Sequence, residues 1–374
     1  MISVVDILRR ARTSHSREWL FCLLLLFVLL FGLGGCGVGE PETVRLNGPT
    51  MGTTWSLVYV PAAQQPVPEE VRTGVQAVLD AIDATMSTYR EDSELSRLNR
   101  ATPGSWFQLS GELMQVLMTA MQVGTQSGGA YDVTVGPLVD LWGFGPGAPV
   151  VQPPKPEEIQ ARLAQVGQQH LRFNLHGGSV MKQRKLALDL SSLAKGYAVD
   201  RAARWLGENG VQRFLLEVGG EMKLSGHSGR GDPWRVAIEQ PDAGGRAVAA
   251  TLQASDVAVA TSGDYRNFFD YQGKRYSHTI DPRSGWPVAH DLVSVTVVHP
   301  SAMLADAWAT ALSVLGRERA AAVATEQALA VYFIYRSQDG FTHSHTAPMA
   351  AYLPSSTTGA VSAAETGREP GGKS

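Results

Sequence analysis

Cysteine is almost absent from this chain of 374 residues, which contains only Cys22 and Cys36. So few thiols exclude a disulfide framework, and no cysteine nucleophile or cysteine-ligated metal site is expected in the body of the protein. Charge is sparse as well: 18% of the residues are charged and the formal net charge is −3. Without a basic excess, nucleic acid is not expected as a partner. The hydrophobic fraction of 44% is ordinary for a globular protein with a buried core.

The N-terminus combines a basic segment, with arginines at positions 9, 10, 12 and 17, and an uncharged apolar run over residues 19–33. The run has the length of a signal-peptide core and is short for a spanning helix of roughly 20 residues. It ends in Leu33-Gly34-Gly35-Cys36, which looks like a bacterial lipobox. We therefore expect a lipoprotein signal peptide over residues 1–35, acylation of Cys36 and a tether over 36–48. The alternative is an uncleaved membrane anchor; either one places the body outside the cytoplasm.

Hydrophobic periodicity predicts mixed helices and strands without a regular β-α-β rhythm, which is typical of an α+β fold. Helices are expected over residues 69–88, 113–125 with Ser110 as cap, 156–165, 191–206 and 301–316. Strands are expected over residues 51–60, 186–190, 214–218, 234–239, 257–261, 276–280, 292–298 and 330–335. We expect one compact domain with two lobes over residues 49–353. The Ser/Thr/Gly/Glu-rich residues 354–374 lack apolar periodicity and indicate a disordered tail.

The segment around Asp189 and Lys195 joins a predicted strand to a predicted helix. The amino end of a helix offers unpaired N–H groups and a positive dipole end, which suit a phosphate. Lys195 adds positive charge in a first turn that normally prefers an acid, which indicates an anionic ligand. The alternative is that Asp189 or Ser191 is only a helix cap.

The helix predicted after Ser301 carries Asp306 and Thr310 four residues apart, so the two side chains lie on one face. Residues 301–315 contain no lysine, arginine or glutamate, so this face does not have the composition of a solvent-exposed one. A half-buried carboxylate needs a cation, and hard oxygen ligands suit Mg²⁺ or Ca²⁺. The alternative is an aspartate favoured by the helix dipole alone.

A predicted strand also delivers His278 just before an Asp-Pro turn. No second histidine or cysteine lies at metal-ligand spacing, so a zinc site is not expected. A lone strand histidine is often structural, and a role as base or in orienting a ring is the alternative. Tyr89 and Tyr131 could belong to the core or stack on a purine or flavin ring.

Eight segments, in this order along the chain, resemble the ApbE family of FAD:protein FMN transferases. They are Met51-Gly-Thr-Thr-Trp-Ser, Met86-Ser-Thr-Tyr-Arg with Ser93-Glu-Leu-Ser-Arg-Leu-Asn, Gly129-Ala-Tyr-Asp-Val-Thr-Val-Gly-Pro-Leu, Asp189-Leu-Ser-Ser-Leu-Ala-Lys-Gly-Tyr-Ala-Val-Asp, Leu216-Glu-Val-Gly-Gly-Glu, Ala260-Thr-Ser-Gly-Asp-Tyr, Ser277-His-Thr-Ile-Asp-Pro-Arg-Ser-Gly and Ala305-Asp-Ala-Trp-Ala-Thr. The resemblance runs from residue 51 to about residue 335 and implies an ApbE-like (T-fold-like) architecture.

The resemblance also implies roles for individual residues. The implied contacts to FAD are Met51, Tyr89, Ala130, Tyr131, Asp132, Asp189, Lys195, Thr279 and Ile280. The implied Mg²⁺ ligands are Asp306, Thr310 and Ser192, the last through its backbone carbonyl. The implied catalytic residues are Asp306 and His278; whether His278 or a nearby carboxylate takes the acceptor proton stays open.

The implied reaction moves FMN from FAD to a Thr or Ser hydroxyl of another protein, forming a phosphoester and releasing AMP with the help of Mg²⁺. Acceptors in the family carry a short Asp/Ser-Gly-x-x-Ser/Thr-Ala-Thr type motif and are typically membrane redox-pump subunits. Two other functions stay open: Mg²⁺-dependent hydrolysis of FAD to FMN and AMP, and a flavin-binding lipoprotein without catalysis. The expected location is a bacterial membrane facing the periplasm, the inner membrane more than the outer.

Overall fold

A computed structural model describes residues 43–145, 147, 150, 152–241, 247–263 and 267–354. From Thr43 onward these residues form one unit. None of the helices in the described ranges has the length and apolar character needed to cross a bilayer. The expected signal peptide, Cys36 and nearly all of the expected tail (residues 355–374) lie outside the described residues.

An eight-stranded sheet is the centre of the fold, and every neighbouring pair of its strands is antiparallel. Its strand order is β1-β2-β6-β7-β10-β13-β14-β15, beside a three-stranded sheet β3-β5-β4 and the hairpins β8-β9 and β11-β12. The strands are β1 Val44–Thr50, β2 Thr53–Tyr59, β3 Trp106–Gln108, β4 Leu171–Asn174, β5 Ser179–Lys182, β6 Phe214–Val218, β7 Glu221–Ser225, β8 Trp234–Glu239, β9 Val248–Ala254, β10 Val257–Gly263, β11 Phe268–Tyr271, β12 Lys274–Ser277, β13 Leu292–His299, β14 Ala330–Ser337 and β15 Gly340–His345.

Helices cover one face of the large sheet, and the β8-β9 hairpin covers part of the other. Two apolar cores result, one on each face, which explains why the central strand β13 is buried along almost its whole length. The α-helices are α1 Pro68–Met86, α2 Glu94–Arg100, α3 Gly111–Gln126, α4 Gly136–Leu141, α5 Pro156–Leu163, α6 Ala194–Glu208 and α7 Ala302–Glu326. This arrangement confirms the expected α+β class.

Several helix boundaries follow from local chemistry that is visible in the sequence. The Ser110 hydroxyl accepts a hydrogen bond from the Leu113 backbone N–H at 3.1 Å and caps α3, as predicted. Ser301 caps α7 in the same way, through the N–H of Leu304. The predicted end of that helix at Gly316 is a break, where φ is 73° and ψ is 177°, and helical structure resumes beyond it to Glu326.

Two predicted segments differ in the structure. Residues 44–48, expected in the tether, belong to β1, which pairs with β2 along its full length. Residues 186–190, expected as a strand, pair with no strand among the described residues. Instead the side-chain amide of Asn99 exchanges two hydrogen bonds of 2.8 Å with the Leu188 backbone. A side chain thus satisfies the polar groups that a neighbouring strand would otherwise bind.

Candidate active site

A cavity of about 730 Å³ gathers nearly all of the residues that the sequence singled out. Those that line it are Tyr89, Ala130, Tyr131, Asp132, Asp189, Ser192, Lys195, His278, Thr279, Ile280, Asp306 and Thr310. Met51 does not line the cavity: it takes a left-handed φ of 47° before β2 and packs against the helix-side core. Thr53, two residues later, is the lining residue of that segment.

The crossing of α6 and α7 places Asp306 in the wall of the cavity. At the crossing, a Cβ on Gly196 would lie 2.3 Å from the carbonyl oxygen of Ala302, so only glycine permits this close approach. The Asp200 carboxylate of α6 also accepts the Ser301 hydroxyl at 2.6 Å and the Ala302 N–H at 2.8 Å, which fixes the start of α7. Two contacts therefore hold the helix that carries Asp306.

Asp306 is a buried carboxylate, only 4% exposed. Its Oδ2 accepts a hydrogen bond from the Gly196 backbone N–H at 3.1 Å. Loss of hydration raises the pKa of Asp306 from its usual value, while Lys195 and the Gly196 N–H act in the opposite direction. The predicted burial of Asp306 is therefore confirmed, and a carboxylate in such a place favours a bound cation.

Thr310 lies one helical turn beyond Asp306, and its hydroxyl is 3.1 Å from that of Ser262 at the end of β10. The Ser192 hydroxyl donates to the Tyr131 hydroxyl at 2.8 Å, so this side chain is already occupied. In an α-helix each backbone N–H donates to the carbonyl oxygen four residues earlier, so the ordinary helical partner of the Gly196 N–H would be the Ser192 carbonyl. Because that N–H bonds to Asp306 instead, the bond leaves the carbonyl available as a ligand.

The Asp306 carboxylate, the Thr310 hydroxyl and the Ser192 carbonyl belong to residues that line one cavity, and by themselves they would be an incomplete set of metal ligands. Among the described residues, no three histidine, cysteine, aspartate or glutamate side chains converge to hold a metal. Mg²⁺ in proteins commonly takes one or two carboxylates and completes its shell with water and substrate phosphates. The donor set of Asp306, Thr310 and Ser192 fits such a shared site, and does not fit a metal held by the protein alone.

Lys195 does not face the cavity as a free cation. Its Nζ lies 2.6 Å from Glu221 Oε1, and Glu221 is only 3% exposed. Burial and the nearby Asp306 raise the pKa of Glu221, and the Lys195 ammonium opposes them. The glycine turn between β6 and β7 permits this pair, because a Cβ on Gly219 would come within 3.2 Å of Lys195 Cδ and 2.8 Å of Thr53.

Acidic side chains outnumber basic ones in the described lining of the cavity. Its described acidic lining residues are Asp132, Asp189, Glu217, Glu221, Glu239 and Asp306, whereas Lys195 is the only lysine or arginine among the described lining residues. An anionic pyrophosphate would be repelled by such a wall unless cations accompany it. The sequence interpretation of Lys195 as a simple phosphate contact thus misses its partner Glu221, which lies 26 residues away in the sequence.

Two predicted acidic residues have local structural roles. Asp132 Oδ1 accepts the Thr134 N–H at 2.8 Å, and its Oδ2 accepts the Gln168 N–H at 2.9 Å. Asp189 Oδ1 accepts the Ser191 N–H at 2.8 Å, which makes the turn that leads into α6. Asp189 therefore shapes the turn before α6 and lines the cavity, but neither it nor Ser191 is the helix cap: the N-cap is Leu193, which makes no side-chain cap hydrogen bond.

His278 follows β12 and faces the same cavity. Its Nδ1 lies 3.0 Å from the Asn267 carbonyl oxygen, which can only accept, so Nδ1 carries the proton and Nε2 keeps its lone pair. Burial lowers the pKa of His278, and Lys195 acts in the same direction, although the Asn267 contact partly opposes them. The neutral imidazole at neutral pH is the form that can accept a proton.

Aromatic side chains supply the apolar part of the cavity. Tyr131 is almost fully buried at 3%, whereas Tyr89 is 73% exposed. Phe144, which sequence reasoning missed, lines the cavity and meets His278 edge-on at 6.2 Å between ring centroids. Its signal in the sequence was an aromatic residue inside a Gly/Pro-rich loop, where no core packing pattern requires one.

Comparisons with known proteins identify the family. The model of the ApbE family matches residues 51–333. The FAD:protein FMN transferase of Vibrio cholerae is 42% identical over 327 residues, 87% of this chain and 96% of that protein. The Escherichia coli K12 protein of the same name is 42% identical over 303 residues, 80% and 86% of the two chains. The chain belongs to the ApbE family.

Solved structures extend the comparison to the fold. The flavin transferase ApbE from Vibrio cholerae has a TM-score of 0.78 at 42% identity, covering 83% of this chain and 99% of that one. The ApbE protein of Thermotoga maritima, at 27% identity, still has a TM-score of 0.76 and covers 84% and 100%. The architecture described above is therefore the ApbE fold, as the sequence resemblance implied.

Proposed function

We infer that this protein is an FAD:protein FMN transferase, which moves FMN from FAD to a hydroxyl of another protein. The observation that carries this function is the gathering of the family's motif residues in one place, where twelve of the thirteen expected non-lipid site residues line the same cavity. The relatives that share 42% of their residues over most of their length carry this name. The reaction replaces the bond between phosphorus and AMP with a phosphoester to the acceptor, so FMN is transferred and AMP leaves.

We propose that the reaction uses Mg²⁺, bound by Asp306, the Thr310 hydroxyl and the Ser192 carbonyl together with the FAD phosphates. Buried Asp306 and the negative lining of the cavity support this assignment. The bound cation would neutralise phosphate charge and favour AMP as the leaving group. The chain itself holds the ligand set in place through the Gly196 and Asp200 contacts between α6 and α7.

We propose that His278 takes the proton of the acceptor hydroxyl. The Asn267 carbonyl directs the lone pair of the ring to Nε2, and a lowered pKa keeps the ring neutral at physiological pH. A neutral imidazole within reach of a hydroxyl is a common general base. The carboxylates nearby are poorer candidates, since Glu221 is paired with Lys195 and Asp306 is assigned to the cation.

Transfer and hydrolysis can be separated in one experiment. The purified protein is incubated with FAD, Mg²⁺ and a synthetic peptide that contains Ser-Gly-Ala-Thr-Ser-Ala-Thr, and the peptide is weighed by mass spectrometry. We expect the peptide to gain the mass of one FMN as AMP appears. Free FMN and AMP with unlabelled peptide would replace the transferase with an FAD hydrolase, and intact FAD would leave only a flavin carrier.

We also propose that Cys36 is acylated and anchors the protein to a bacterial membrane facing the periplasm, where membrane redox-pump subunits would be its acceptors. The lipobox-like segment supports the anchor. Because β1 begins at Val44, seven residues (37–43) separate Cys36 from the sheet, a reach of at most about 25 Å at roughly 3.5 Å per residue. Replacement of Cys36 by serine should release the protein from the membrane fraction; retention there would contradict the anchor.

A further inference from the structure

The loop between His278 and β13 is a rigid feature beside the cavity. The Asp281 backbone N–H donates to the Trp286 carbonyl at 2.9 Å, and the Gly285 N–H donates to the Asp281 carbonyl at 2.8 Å. The Asp281 carboxylate accepts the Arg283 guanidinium twice, from Nε at 2.9 Å and from Nη2 at 2.8 Å. Residues 281–286, the DPR loop, are therefore held by bonds within the loop itself.

The base of the DPR loop is packed into the protein. The Trp142 indole N–H donates to the Gly285 carbonyl at 2.9 Å. Gly285 has φ of +79°, and a Cβ there would lie 2.8 Å from Ile159, so the loop rests directly on a small separate apolar cluster that includes Trp142 and Ile159. Such anchoring removes most of the ordering cost that a flexible loop would incur when it binds a partner.

The DPR loop borders the active-site cavity. Ile280, immediately before the loop, and Pro282, within it, both line the cavity. On the other side, a Cβ on Gly129 would touch Arg283 Cγ at 4.0 Å, and Gly129 precedes the lining residue Ala130. The DPR loop therefore adjoins the cavity wall close to His278 and to the Gly129-Ala130 segment.

The loop exposes a tryptophan. Trp286 is 37% exposed and lies 5.5 Å from the buried Trp142 ring. Among the exposed large apolar residues in the described part of the chain, Tyr89 lines the cavity and is assigned to FAD, and Trp286 belongs to the bordering loop. Tryptophan is enriched in the few residues that dominate binding energy at protein interfaces. FAD does not explain Trp286, because this residue is not in the cavity wall.

We propose that the DPR loop, with Trp286 as its main contact, binds the acceptor polypeptide beside the hydroxyl that receives FMN. The proposal rests on the transferase function. A preorganised aromatic on the loop beside the cavity binds the acceptor chain on one side of the acceptor residue, which reduces the freedom of the hydroxyl before it meets His278. The Asp281 carboxylate neutralises the Arg283 guanidinium within the loop. We therefore expect the acceptor to be held by apolar contact with Trp286 and not by the charge of Arg283.

The test compares Trp286→Ala with Trp106→Ala, a matched change at another exposed tryptophan, 53% exposed on β3 and absent from the cavity wall. The acceptor is the Ser-Gly-Ala-Thr-Ser-Ala-Thr peptide with flanking residues on both sides. We expect Trp286→Ala to raise the KM for the peptide about tenfold or more, corresponding to about 1.4 kcal/mol. The Kd for FAD with Mg²⁺, measured by flavin fluorescence, should stay unchanged, and Trp106→Ala should change neither value.

Two further variants keep the proposal testable if Trp286→Ala folds poorly. Trp286→Tyr keeps a flat ring and should retain most of the peptide affinity, whereas Trp286→Lys keeps only an aliphatic stem and should lose it. An unchanged peptide KM in Trp286→Lys, or a loss of FAD affinity that accounts for the whole effect, would overturn the docking role. If the wild-type protein labels no peptide and no acceptor protein, the transferase function itself fails, which is a different result.

Discussion

The backbone N–H of Gly196 donates a hydrogen bond to the Oδ2 of Asp306 across 3.1 Å. This bond joins the start of α6 to the first turns of α7, through two residues that are 110 positions apart in the sequence. It aims the carboxylate into the cavity and leaves the Ser192 carbonyl free of its usual helical partner. The proposed metal site is therefore a product of the helix crossing rather than of either helix.

Replacement of Gly196 by alanine should disrupt that crossing. The new Cβ would lie 2.3 Å from the Ala302 carbonyl oxygen, and this neighbour is backbone that cannot rotate away. We expect the free energy of unfolding to fall by about 1–3 kcal/mol, measured by denaturant titration, with a loss of flavin transfer. Gly207→Ala in the same helix is the control: nothing lies within 4 Å of its Cβ, so that variant should gain about 0.5–1 kcal/mol. Equal effects at both positions would contradict the close crossing.

Replacement of Asp306 by asparagine should stabilise the metal-free protein while it abolishes turnover. Burial raises the pKa of Asp306 in the folded state, so its contribution to stability is present below the unfolded pKa and is lost as pH rises through the folded pKa. At neutral pH the buried charge therefore destabilises the fold, and the amide removes this cost. Thermal melts at pH 7 without metal should show a higher Tm for the variant.

The same variant tests the metal. A cation at about 100 times its Kd stabilises the wild-type protein by about 2.7 kcal/mol, and we expect Mg²⁺ with FAD to raise the Tm of the wild type but not of Asp306→Asn. The exposed Asp339, changed to asparagine, serves as the control and should respond like the wild type. An Mg²⁺-dependent rise in Asp306→Asn that equals the wild-type rise would refute the ligand assignment.

Thr310→Val should raise the Mg²⁺ concentration needed for half-maximal activity, because valine keeps the shape of threonine but lacks the oxygen ligand. We expect a shift of about 100-fold, with much of the kcat recovered at saturating Mg²⁺. Ser262→Ala removes only the hydroxyl that contacts Thr310 at 3.1 Å, so its shift should be about tenfold. Titration of activity with Mg²⁺ measures the shift in each variant. Identical curves for Thr310→Val and the wild type would exclude the Thr310 hydroxyl as a ligand.

The pH profile should report on His278. Because burial lowers the pKa of this ring, the neutral base persists below the ordinary value of about 6.5. The acid limb of kcat/KM should therefore fall at a pH lower than 6.5. His278→Gln should lower the rate by about 10²–10⁴-fold and remove that limb. A limb that persists unchanged in His278→Gln would assign it to another group.

Helices with clear caps were predictable because their signals are local. Ser110 and Ser301 each bind an N–H three residues ahead, and the sequence alone shows both. The strand predicted over residues 186–190 was wrong for a reason that no local pattern reveals. An apolar alternation predicts an extended chain, but whether that chain finds a strand or the Asn99 amide depends on residues 89 positions away.

The residues of the site were likewise predictable from the sequence only in part. Motif resemblance indicated His278, Asp306 and Thr310, and the structure places all three in one cavity. The motif resemblance did not indicate Glu221 as a site residue, although Glu221 ends one of the motifs. The importance of this residue lies in its 2.6 Å contact with Lys195. A buried ion pair is defined by distance in space, and the sequence separation of its partners carries no such information.

By itself, the sequence determined the family, the α+β class and the types of residue available for chemistry, because these depend on composition, periodicity and local motifs. Only the tertiary structure decided how those residues combine. It paired Lys195 with Glu221, turned the Gly196 N–H to Asp306, and left Trp286 exposed on the loop that adjoins the cavity. Burial and distance control charge and hydrogen bonding, and both arise only when separate segments of the chain pack together.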